Sequence, residues 1–391
     1  MFILKLCMQK TQELDKNILK ALETLNENNP YATFLDKSTL SSIGEDDWID
    51  TGSYILNGII SGKLKKGGVP KGRVTMFYGE SQCLKSYLVQ KTLANAQKRG
   101  MVPVIFDTEN AIDPEGAARL GLDISKVKYI PTFSIEKCRN DIFKFLNAVK
   151  EAGLNGKFII AIDSIGNLES QMEQNRMEMG TRARAIKSLL RTCTQLAAIT
   201  NTPIIIVNHL YDNPGELHPS LVKTPVGGKS VTYMPSCSVQ LMRKAVKTGT
   251  VKSDEENTTA FQRDYSGIII RALTVKNRFV KQFLEGEMYI SFNNGPDKYY
   301  GILDLAVQLN IIEQTGSTYV YKGEKMGYAK SFHNNIQFWE NEIIPLIEKR
   351  IAVEWQYNSI DDAPYKEIEE TPVEEPASGV VFLKQLIEST K

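Results

Sequence analysis

Four almost unbroken apolar runs, separated by segments with helical periodicity, constrain the fold of this chain more than any other feature. The runs are RVTMFY (73–78), PVIFD (103–107), KFIIAID (157–163) and TPIIIVN (202–208). A strand that is apolar along its whole length must be covered on both faces, and such strands typically belong to parallel sheets with helical connections. The sequence therefore predicts an α/β fold with a mostly parallel, twisted sheet.

The loop after the first run has the pattern of a phosphate-binding loop. The segment YGESQCLKSY (78–87) lies between a predicted strand and the helical pattern SYLVQKTLANAQKRG, which is the context that such a loop requires. Backbone N–H groups at the start of a helix bind phosphates. In such a loop a lysine contacts the β and γ oxygens, and a hydroxyl group binds magnesium. We expect the nucleotide to bind here, with these residues in contact: Gly79, Glu80, Ser81, Gln82, Cys83, Leu84, Lys85, Ser86 and Tyr87.

Leu84 is the one departure from the pattern G-x-x-x-x-G-K-[ST]. A glycine at this position would lack a Cβ atom where backbone and phosphate approach closely. We expect Leu84 to be tolerated because its backbone need not be left-handed, so that its Cβ atom can point away. The alternative is a chance turn that binds no nucleotide.

Polar residues follow three further strands at their carboxyl ends, where ligands bind in open parallel sheets. Asp163 is expected to hold magnesium through Ser86 or through water, and Glu109 to polarise an attacking water molecule. His209 could sense a γ-phosphate. Taken singly, Glu109 and its neighbour Asp107 could instead belong to a helix N-cap, and a lone histidine is more often structural.

Charge and cysteine content limit the remaining possibilities. The formal net charge is +1, but residues 361–375 carry seven carboxylates against one lysine, which leaves +7 on the rest of the chain. The five cysteines are scattered and form no CxxC pair, so neither a disulfide framework nor a zinc site is predicted, and a cytoplasmic location fits best. No run is long enough to span a membrane, and MFILKLCM is too short for a signal peptide.

The order of the motifs resembles the RecA-type strand-exchange recombinases. The resemblance covers about residues 48–350 and includes VPKGRVTMFYGESQCLKS, VIFDTENAIDPEGAARLGLDI, FIIAIDSIGNLES, TPVGGKS and LTVKNRFVKQF. The sequence LKS, in which Leu84 replaces the second glycine of the loop, resembles the phage UvsX branch of this family. The resemblance implies a RecA-like P-loop ATPase core that binds ATP and Mg²⁺. It also implies a homo-oligomeric helical filament on single-stranded DNA, which pairs that strand with homologous duplex DNA.

The resemblance gives roles to several residues. Glu109 is similar to the glutamate that activates the hydrolytic water. His209 stands where the family has a glutamine, or a histidine in the UvsX branch, that links the γ-phosphate to the DNA loops. Lys276 and Arg278 resemble a cationic pair that reaches into the ATP site of the neighbouring protomer. On spacing alone, they would be two solvated charges on a strand edge.

The residues expected to bind the adenine base follow the family pattern only in part. Asp113 matches an adenine contact, whereas Gly116 stands where the family places a tyrosine that stacks on the base. Phe292 is an alternative aromatic residue for that stacking.

Two segments are expected to bind DNA. Residues 169–191 match the first DNA loop and the helix that follows it, and residues 210–230 match the second loop. Several cations that neutralise phosphates would make the affinity strongly salt-dependent and largely independent of sequence. The residues expected to contact DNA are Arg176, Arg182, Arg184, Lys187 and Arg191 in the first segment, and Gly227 and Gly228 in the second.

The expected organisation has four parts: an N-terminal helix and protomer-packing arm (1–47), the ATPase and DNA-binding core (48–298), a small α+β C-terminal domain (299–358) and an acidic, disordered tail with a terminal apolar segment (359–391). A single-strand binding protein and a recombination mediator are further candidate partners. Two alternative functions stay open: a RecA-fold ATPase of the helicase or switch type, and a DNA-binding filament protein that is inactive as an ATPase.

Overall fold

The chain is described here from a computed structural model that covers residues 16–38, 40, 42–170, 180–210, 223–244, 267–292, 295–332 and 335–357. The predictions for Arg176, for most of the second DNA segment and for the acidic tail lie outside these residues. Among the described helices, none has the length and apolar character needed to cross a membrane.

Helices and strands alternate along most of the chain. The helices are α1 (Lys16–Asn28), α2 (Tyr54–Ser61), α3 (Lys85–Lys98), α4 (Pro114–Arg119), α5 (Ile135–Glu151), α6 (Thr181–Thr200), α7 (Lys229–Tyr233), α8 (Ile302–Gln308), α9 (Ala329–Phe332), α10 (Ile336–Phe338) and α11 (Ile344–Glu354). The strands are β1 (Trp48–Ile49), β2 (Val69–Pro70), β3 (Val74–Gly79), β4 (Val102–Asp107), β5 (Lys128–Pro131), β6 (Phe158–Asp163), β7 (Ile204–His209), β8 (Cys237–Arg243), β9 (Gly267–Asn277), β10 (Glu285–Ser291), β11 (Gly295–Pro296), β12 (Glu313–Thr315), β13 (Thr318–Tyr321) and β14 (Glu324–Tyr328).

A nine-stranded sheet in the order β11-β10-β9-β8-β3-β7-β6-β4-β5 forms the centre of the fold. The strands from β8 to β5 pair in parallel, and β9, β10 and β11 extend the sheet by antiparallel pairing. The four apolar runs are the parallel strands β3, β4, β6 and β7. The predicted RecA-like α/β class with a mostly parallel sheet is therefore confirmed.

Successive residues of β3 face opposite sides of the sheet. Val74, Met76 and Tyr78 belong to a buried cluster that includes residues of α5 and α6, whereas Phe77 belongs to a second cluster with residues of α2 and α3. All four side chains are at most 1% exposed. Covering both faces explains why the strand sequences are apolar without alternation.

A third buried cluster joins the C-terminal helices to α2. It contains Tyr54, Ile55 and Leu64 together with apolar residues between Ile302 and Ile351. The strand-like segment STYVYKGEKMG (317–327) forms β13 and most of β14, which belong to a three-stranded antiparallel sheet. The domain boundaries themselves stay predictions.

The apolar spacing of FHNNIQFWENEIIPLIEKRI (332–351) predicts one amphipathic helix; the chain is helical from Ile336 to Glu354, but this helix contains a π-helical turn. The described residues form α9, α10, a π-helical turn (Trp339–Ile343) and α11. Pro345 lies in the first turn of α11 and has no N–H to donate to a carbonyl in the preceding turn, which disfavours a continuous α-helical pattern there.

Glu340 in the π-helical turn connects this C-terminal part to the rest of the molecule. Its carboxylate accepts hydrogen bonds from the hydroxyl groups of Tyr54 (2.8 Å) and Tyr299 (2.6 Å), and it pairs with Lys65 (2.7 Å) and, at 3.6 Å, with Lys298. Burial disfavours the ionised carboxylate, but these donors outweigh burial and lower the pKa of Glu340 to about 2.

Replacing Glu340 with glutamine should lower the free energy of unfolding by about 1–3 kcal/mol at pH 7, because hydrogen bonds to an ionised group are lost. A lowered folded-state pKa stabilises the protein above the unfolded-state pKa of about 4.5, and this stabilisation is lost as the pH falls towards 2. Urea unfolding of the wild type and of Glu340→Gln, measured between pH 7 and 3.5, should therefore show a difference in the free energy of unfolding that becomes smaller below about pH 4.5.

The matched control is Glu342→Gln, because Glu342 lies in the same turn and, among the described residues, has only an exposed ion pair with Lys322. Equal losses in the two variants, or a loss for Glu340→Gln that is independent of pH, would contradict the assignment.

Candidate functional site

Four parallel strands end at the same edge of the sheet and bring the predicted polar residues together. In the strand registers, Gly79 lies opposite His209 and Asp107 lies opposite Asp163. A cavity of about 390 Å³ opens at this edge, a size within the usual range of small-molecule sites. The residues that line it are Ser81, Gln82, Leu84, Lys85, Ser86, Tyr87, Gln90, Glu109, Ala111, Asp113, Gly116, Arg119, Asp163, His209 and Phe292.

Lys85 is buried at the start of α3, with 6% of its surface exposed. Its ammonium group donates to the carbonyl oxygens of Gly79 (3.0 Å) and Glu80 (2.7 Å). Burial lowers its pKa, while the nearby carboxylates of Asp163 and Glu109 act in the opposite direction. The loop thus places a desolvated cation in the lining of the cavity, which favours an anionic ligand.

Gly79 ends β3 in a very close backbone contact. A Cβ atom at this position would lie 2.3 Å from the carbonyl oxygen of Leu241 on the neighbouring strand β8. The first glycine of the loop is therefore required by sheet packing.

Leu84 has a left-handed backbone, with φ 51° and ψ 34°, so the expectation that it could avoid this conformation was wrong. The residue caps the N-terminus of α3, where the chain turns sharply from the loop into the helix. A left-handed conformation costs about 1–2 kcal/mol for a residue with a Cβ atom. The Leu84 side chain is partly buried against the apolar cluster that contains Cys83, which helps to offset this cost.

Three of the predicted nucleotide-binding residues do not line the cavity. The Cys83 side chain is fully buried in the apolar core, and burial raises the pKa of its thiol. The Glu80 carboxylate is paired with Lys223, and Gly79 lies in the sheet. These residues can contact a ligand only through the backbone or after the Glu80 pair opens.

Ser86 and Asp163 form the pair expected at magnesium. Burial raises the pKa of Asp163 to about 6; a hydrogen bond with Ser86 acts in the opposite direction, and the charge of Glu109 raises the pKa further. No group of three or more His, Cys, Asp or Glu side chains in the described part of the chain is arranged for a metal. One hydroxyl and one carboxylate fit Mg²⁺, which takes its other ligands from phosphates and water.

Asp107 supports the turn that carries Glu109. It is 2% exposed, and its Oδ1 atom accepts hydrogen bonds from the backbone N–H groups of Glu109 (2.9 Å) and Asn110 (3.0 Å). The hydroxyl group of Tyr129 donates to its Oδ2 atom at 3.1 Å. These bonds fix the backbone at Glu109, so that its side chain faces the cavity.

The side chain of Glu109 is held by three polar groups. Its Oε1 atom lies 2.7 Å from Asn167 Nδ2, 3.0 Å from His209 Nε2 and 3.3 Å from Ser164 Oγ. His209 is in turn positioned by its neighbour Asn208, whose Oδ1 atom accepts the backbone N–H of His209 at 2.8 Å. The candidate base and the candidate phosphate sensor are thus in direct contact.

The residues expected to contact the nucleobase, Asp113 and Phe292, also line the cavity. Asp113 caps α4 by accepting the N–H groups of Glu115 (3.1 Å) and Gly116 (2.9 Å). Phe292 is 43% exposed, and its carbonyl oxygen accepts a hydrogen bond from Tyr87. Both Phe292 and Gly116 line the cavity, so an aromatic ring is available where Gly116 offers none.

Lys276 and Arg278 do not lie in the cavity. Cys237 pairs with both Thr75 and Asn277, which places the end of β9 beside the start of β3. The four steps from Thr75 to Gly79 span about 13 Å at 3.3 Å per residue, so the end of β9 is about that far along the sheet from the phosphate-binding loop. The ammonium group of Lys276 donates to the carbonyl oxygen of Tyr233, and burial followed by the charge of Arg278 lowers its pKa to about 8.

The two DNA segments are described in part. Arg184, Lys187 and Arg191 are exposed on α6 at a spacing that places them along one face. Arg182 instead donates to the carbonyl oxygen of Gly166. Gly227 has φ 113°, and a Cβ atom there would lie 2.8 Å from Val231, so this glycine is required by packing against α6 and α7; Gly228 has φ 79°.

Sequence reasoning missed several residues at the site. Asn167 and Ser164 contact Glu109, Tyr129 supports Asp107, and Lys223 pairs with Glu80. A polar residue just beyond the strand β6 was a usable signal for Asn167, since ligands bind beyond strand ends. Nothing local marks Tyr129 or Lys223, because their partners are distant in sequence.

Comparison with known proteins identifies similar sequences. Residues 32–297 match the family described as "RecA N-terminal domain". The RecA protein of Chlamydia pneumoniae is 29% identical over 348 residues, which cover 88% of this chain and 93% of that protein. The RecA protein of Campylobacter hominis is 28% identical over 368 residues, which cover 90% and 99%.

The left-handed backbone at Leu84 allows a matched pair of substitutions. Leu84→Gly should keep the affinity for Mg²⁺-ATP within about threefold, because glycine adopts this conformation readily. Leu84→Val should weaken the affinity by about tenfold or more, since a β-branched residue strongly resists it. Titration with a fluorescent ATP analogue measures both. A folded Leu84→Gly protein that does not bind would show that the leucine side chain, not the backbone conformation, is required.

Proposed function

This chain belongs to the RecA family, and on that premise we propose that it is an ATP-dependent DNA strand-exchange recombinase. It forms a helical filament of its own copies on single-stranded DNA, hydrolyses ATP in a DNA-dependent manner, and pairs the bound strand with homologous duplex DNA.

One observation carries the proposal: Lys85, Ser86, Asp163, Glu109 and His209 come from the ends of four strands or the turns that follow them, and all line one cavity. A buried cation, a hydroxyl–carboxylate pair and a polarising carboxylate are the groups that phosphoryl transfer to water requires.

Each of these residues has a separate role in the proposed hydrolysis. Lys85 and the N-terminus of α3 bind and orient the phosphates, because both groups attract negative charge. Ser86 and Asp163 would hold Mg²⁺, which when bound neutralises charge on the phosphate oxygens. Glu109 accepts the proton of the attacking water through its carboxylate. His209 contacts Glu109 and can respond to the γ-phosphate.

The cations on α6 support DNA binding. Arg184, Lys187 and Arg191 are exposed on one face of the helix that follows the first DNA segment. Contacts of this kind neutralise phosphates without reading bases, so sequence is read by pairing between the strands. The affinity for single-stranded DNA should therefore fall steeply with salt.

Lys276 and Arg278 act on the ATP site of the neighbouring protomer. Within one chain they lie at the edge of the sheet opposite to the cavity, where they cannot serve the same chain's phosphates. Cations supplied from a neighbour make hydrolysis a property of the filament. This arrangement, like the helix α1 as a protomer-packing arm, needs a second copy of the chain.

The finer assignments form part of the same proposal. His209 and Leu84 favour the phage UvsX branch over other members of the family. A single-strand binding protein and a recombination mediator are proposed as partners, and the bacterial cytoplasm, or that of a phage host, as the location.

ATP hydrolysis measured with and without single-stranded DNA tests the proposal, together with electron microscopy of the same mixtures. Hydrolysis stimulated by single-stranded DNA and regular filaments are expected. Filaments without hydrolysis would favour the inactive DNA-binding alternative, and hydrolysis without filaments would favour an ATPase of the helicase or switch type.

Replacing Glu109 with glutamine should slow ATP hydrolysis by roughly 10²- to 10⁴-fold, because a general base typically contributes that much. Binding of ATP and of single-stranded DNA should be retained, since glutamine keeps the shape of the side chain. Steady-state hydrolysis and equilibrium binding measure the two effects. Unchanged turnover would exclude Glu109 as the base.

Replacing Lys276 with alanine should lower hydrolysis in filaments by on the order of 10³-fold while leaving ATP binding to the monomer unchanged. A mixture with Lys85→Ala protein provides the decisive measurement. The Lys85→Ala protomer still carries Lys276 and can complete the site of a Lys276→Ala neighbour. If mixed filaments form and hydrolysis does not recover at any ratio, the site is not shared between protomers.

A further inference from the structure

Glu109 Oε1 is hydrogen-bonded to three side chains, two from the turn after β6 and one from the end of β7. Asn167 Nδ2 makes the shortest contact at 2.7 Å, followed by His209 Nε2 at 3.0 Å and Ser164 Oγ at 3.3 Å. Within the described residues, no group is hydrogen-bonded to the other oxygen, Oε2. The carboxylate is therefore fixed through one oxygen, and the other is available to a water molecule in the cavity.

Asn167 and His209 contact Glu109 from positions just before the two segments expected to bind DNA. Asn167 ends a 3₁₀ turn (Ile165–Asn167) two residues before the first segment (169–191), and His209 ends β7 one residue before the second (210–230). The candidate general base is thus held by a side chain that precedes each of these segments.

We propose that Asn167 is a positioning residue that orients Glu109 for hydrolysis. The inference rests on the proposed function, and it adds to the site a residue from the turn after β6 that holds the candidate general base. Asn167 bonds to Oε1 and so leaves Oε2 to accept the proton of the attacking water.

The local structure gives Asn167 a defined position. Its neighbours Ile165 and Leu168 are both 0% exposed in the apolar core. The next residue, Glu169, is tied to the start of α5 by backbone hydrogen bonds to Phe133 and from Ile135, each of 2.9 Å. Asn167 itself is exposed, so its amide can be removed without loss of buried packing.

An amide is chemically suited to this role. Its NH₂ group donates to a carboxylate without carrying a charge, so the bond does not depend on protonation of Asn167. Aspartate at the same position could not donate when ionised and would repel Glu109. Asn167→Asp is therefore the harsher substitution of nearly identical size, and Asn167→Ala removes the contact alone.

Asn167→Ala should lower the kcat of ATP hydrolysis on single-stranded DNA by about 10- to 100-fold, a part of the full contribution of a general base. The KM for ATP and the affinity for single-stranded DNA should stay within about twofold, because Asn167 contacts Glu109 and not the phosphates. Asn167→Asp should lower kcat further. The matched control is Asn147→Ala, for which kcat should not change: the exposed Asn147 amide donates within its own helix, to the carbonyl oxygen of Phe143 at 2.9 Å.

A double-mutant cycle separates positioning from a general structural effect. If Asn167 acts through Glu109, Asn167→Ala should slow the Glu109→Gln protein by less than about twofold, so that the two losses are not additive. Additive losses, or a kcat for Asn167→Ala equal to that of the wild type, would overturn the proposal while leaving the proposed function intact. Absence of any hydrolysis by the wild-type protein would overturn both. Hydrolysis by the wild type without stimulation by DNA would contradict the proposed function, and the cycle would then be decided on the basal rates.

Discussion

Parallel pairing of β3, β4, β6 and β7 is the constraint on which the rest of the structure depends. Because the strands run in one direction, their carboxyl ends meet at one edge, and the residues that end them or follow them share one cavity. The same pairing requires helices on both faces, which accounts for the two buried clusters. A site assembled from strand ends is held by the most deeply buried part of the molecule.

The electrostatics of the cavity follow from burial in this arrangement. A desolvated lysine lies within reach of two carboxylates, and the pKa values of Lys85 and Asp163 are both shifted, chiefly by burial, towards the neutral forms. Charges in such a position interact strongly with a ligand because little water screens them. The low exposure of Lys85 would therefore strengthen the proposed interaction with phosphates.

The opposite edges of the sheet have different roles in the proposed mechanism. The cavity lies at the carboxyl ends of the parallel strands, whereas Lys276 and Arg278 lie at the amino ends, because β9 runs antiparallel to β8. A filament that repeats the chain could bring the two edges together. The antiparallel extension of the sheet thus separates, within each protomer, the two halves of the site that we propose is shared between protomers.

Local sequence determined the strands, the loop before α3 and the identity of Lys85, Asp163 and Glu109, because burial on both faces and close phosphate contact leave short-range patterns. Tertiary structure alone decided the left-handed backbone of Leu84, the π-helical turn around Glu340, and the contact of Asn167 with Glu109. Each of these depends on partners far apart in sequence or on how a helix is packed at its end. Hydrophobic periodicity indicates which face of a helix or strand is buried, but it does not indicate which distant residue will contact that face.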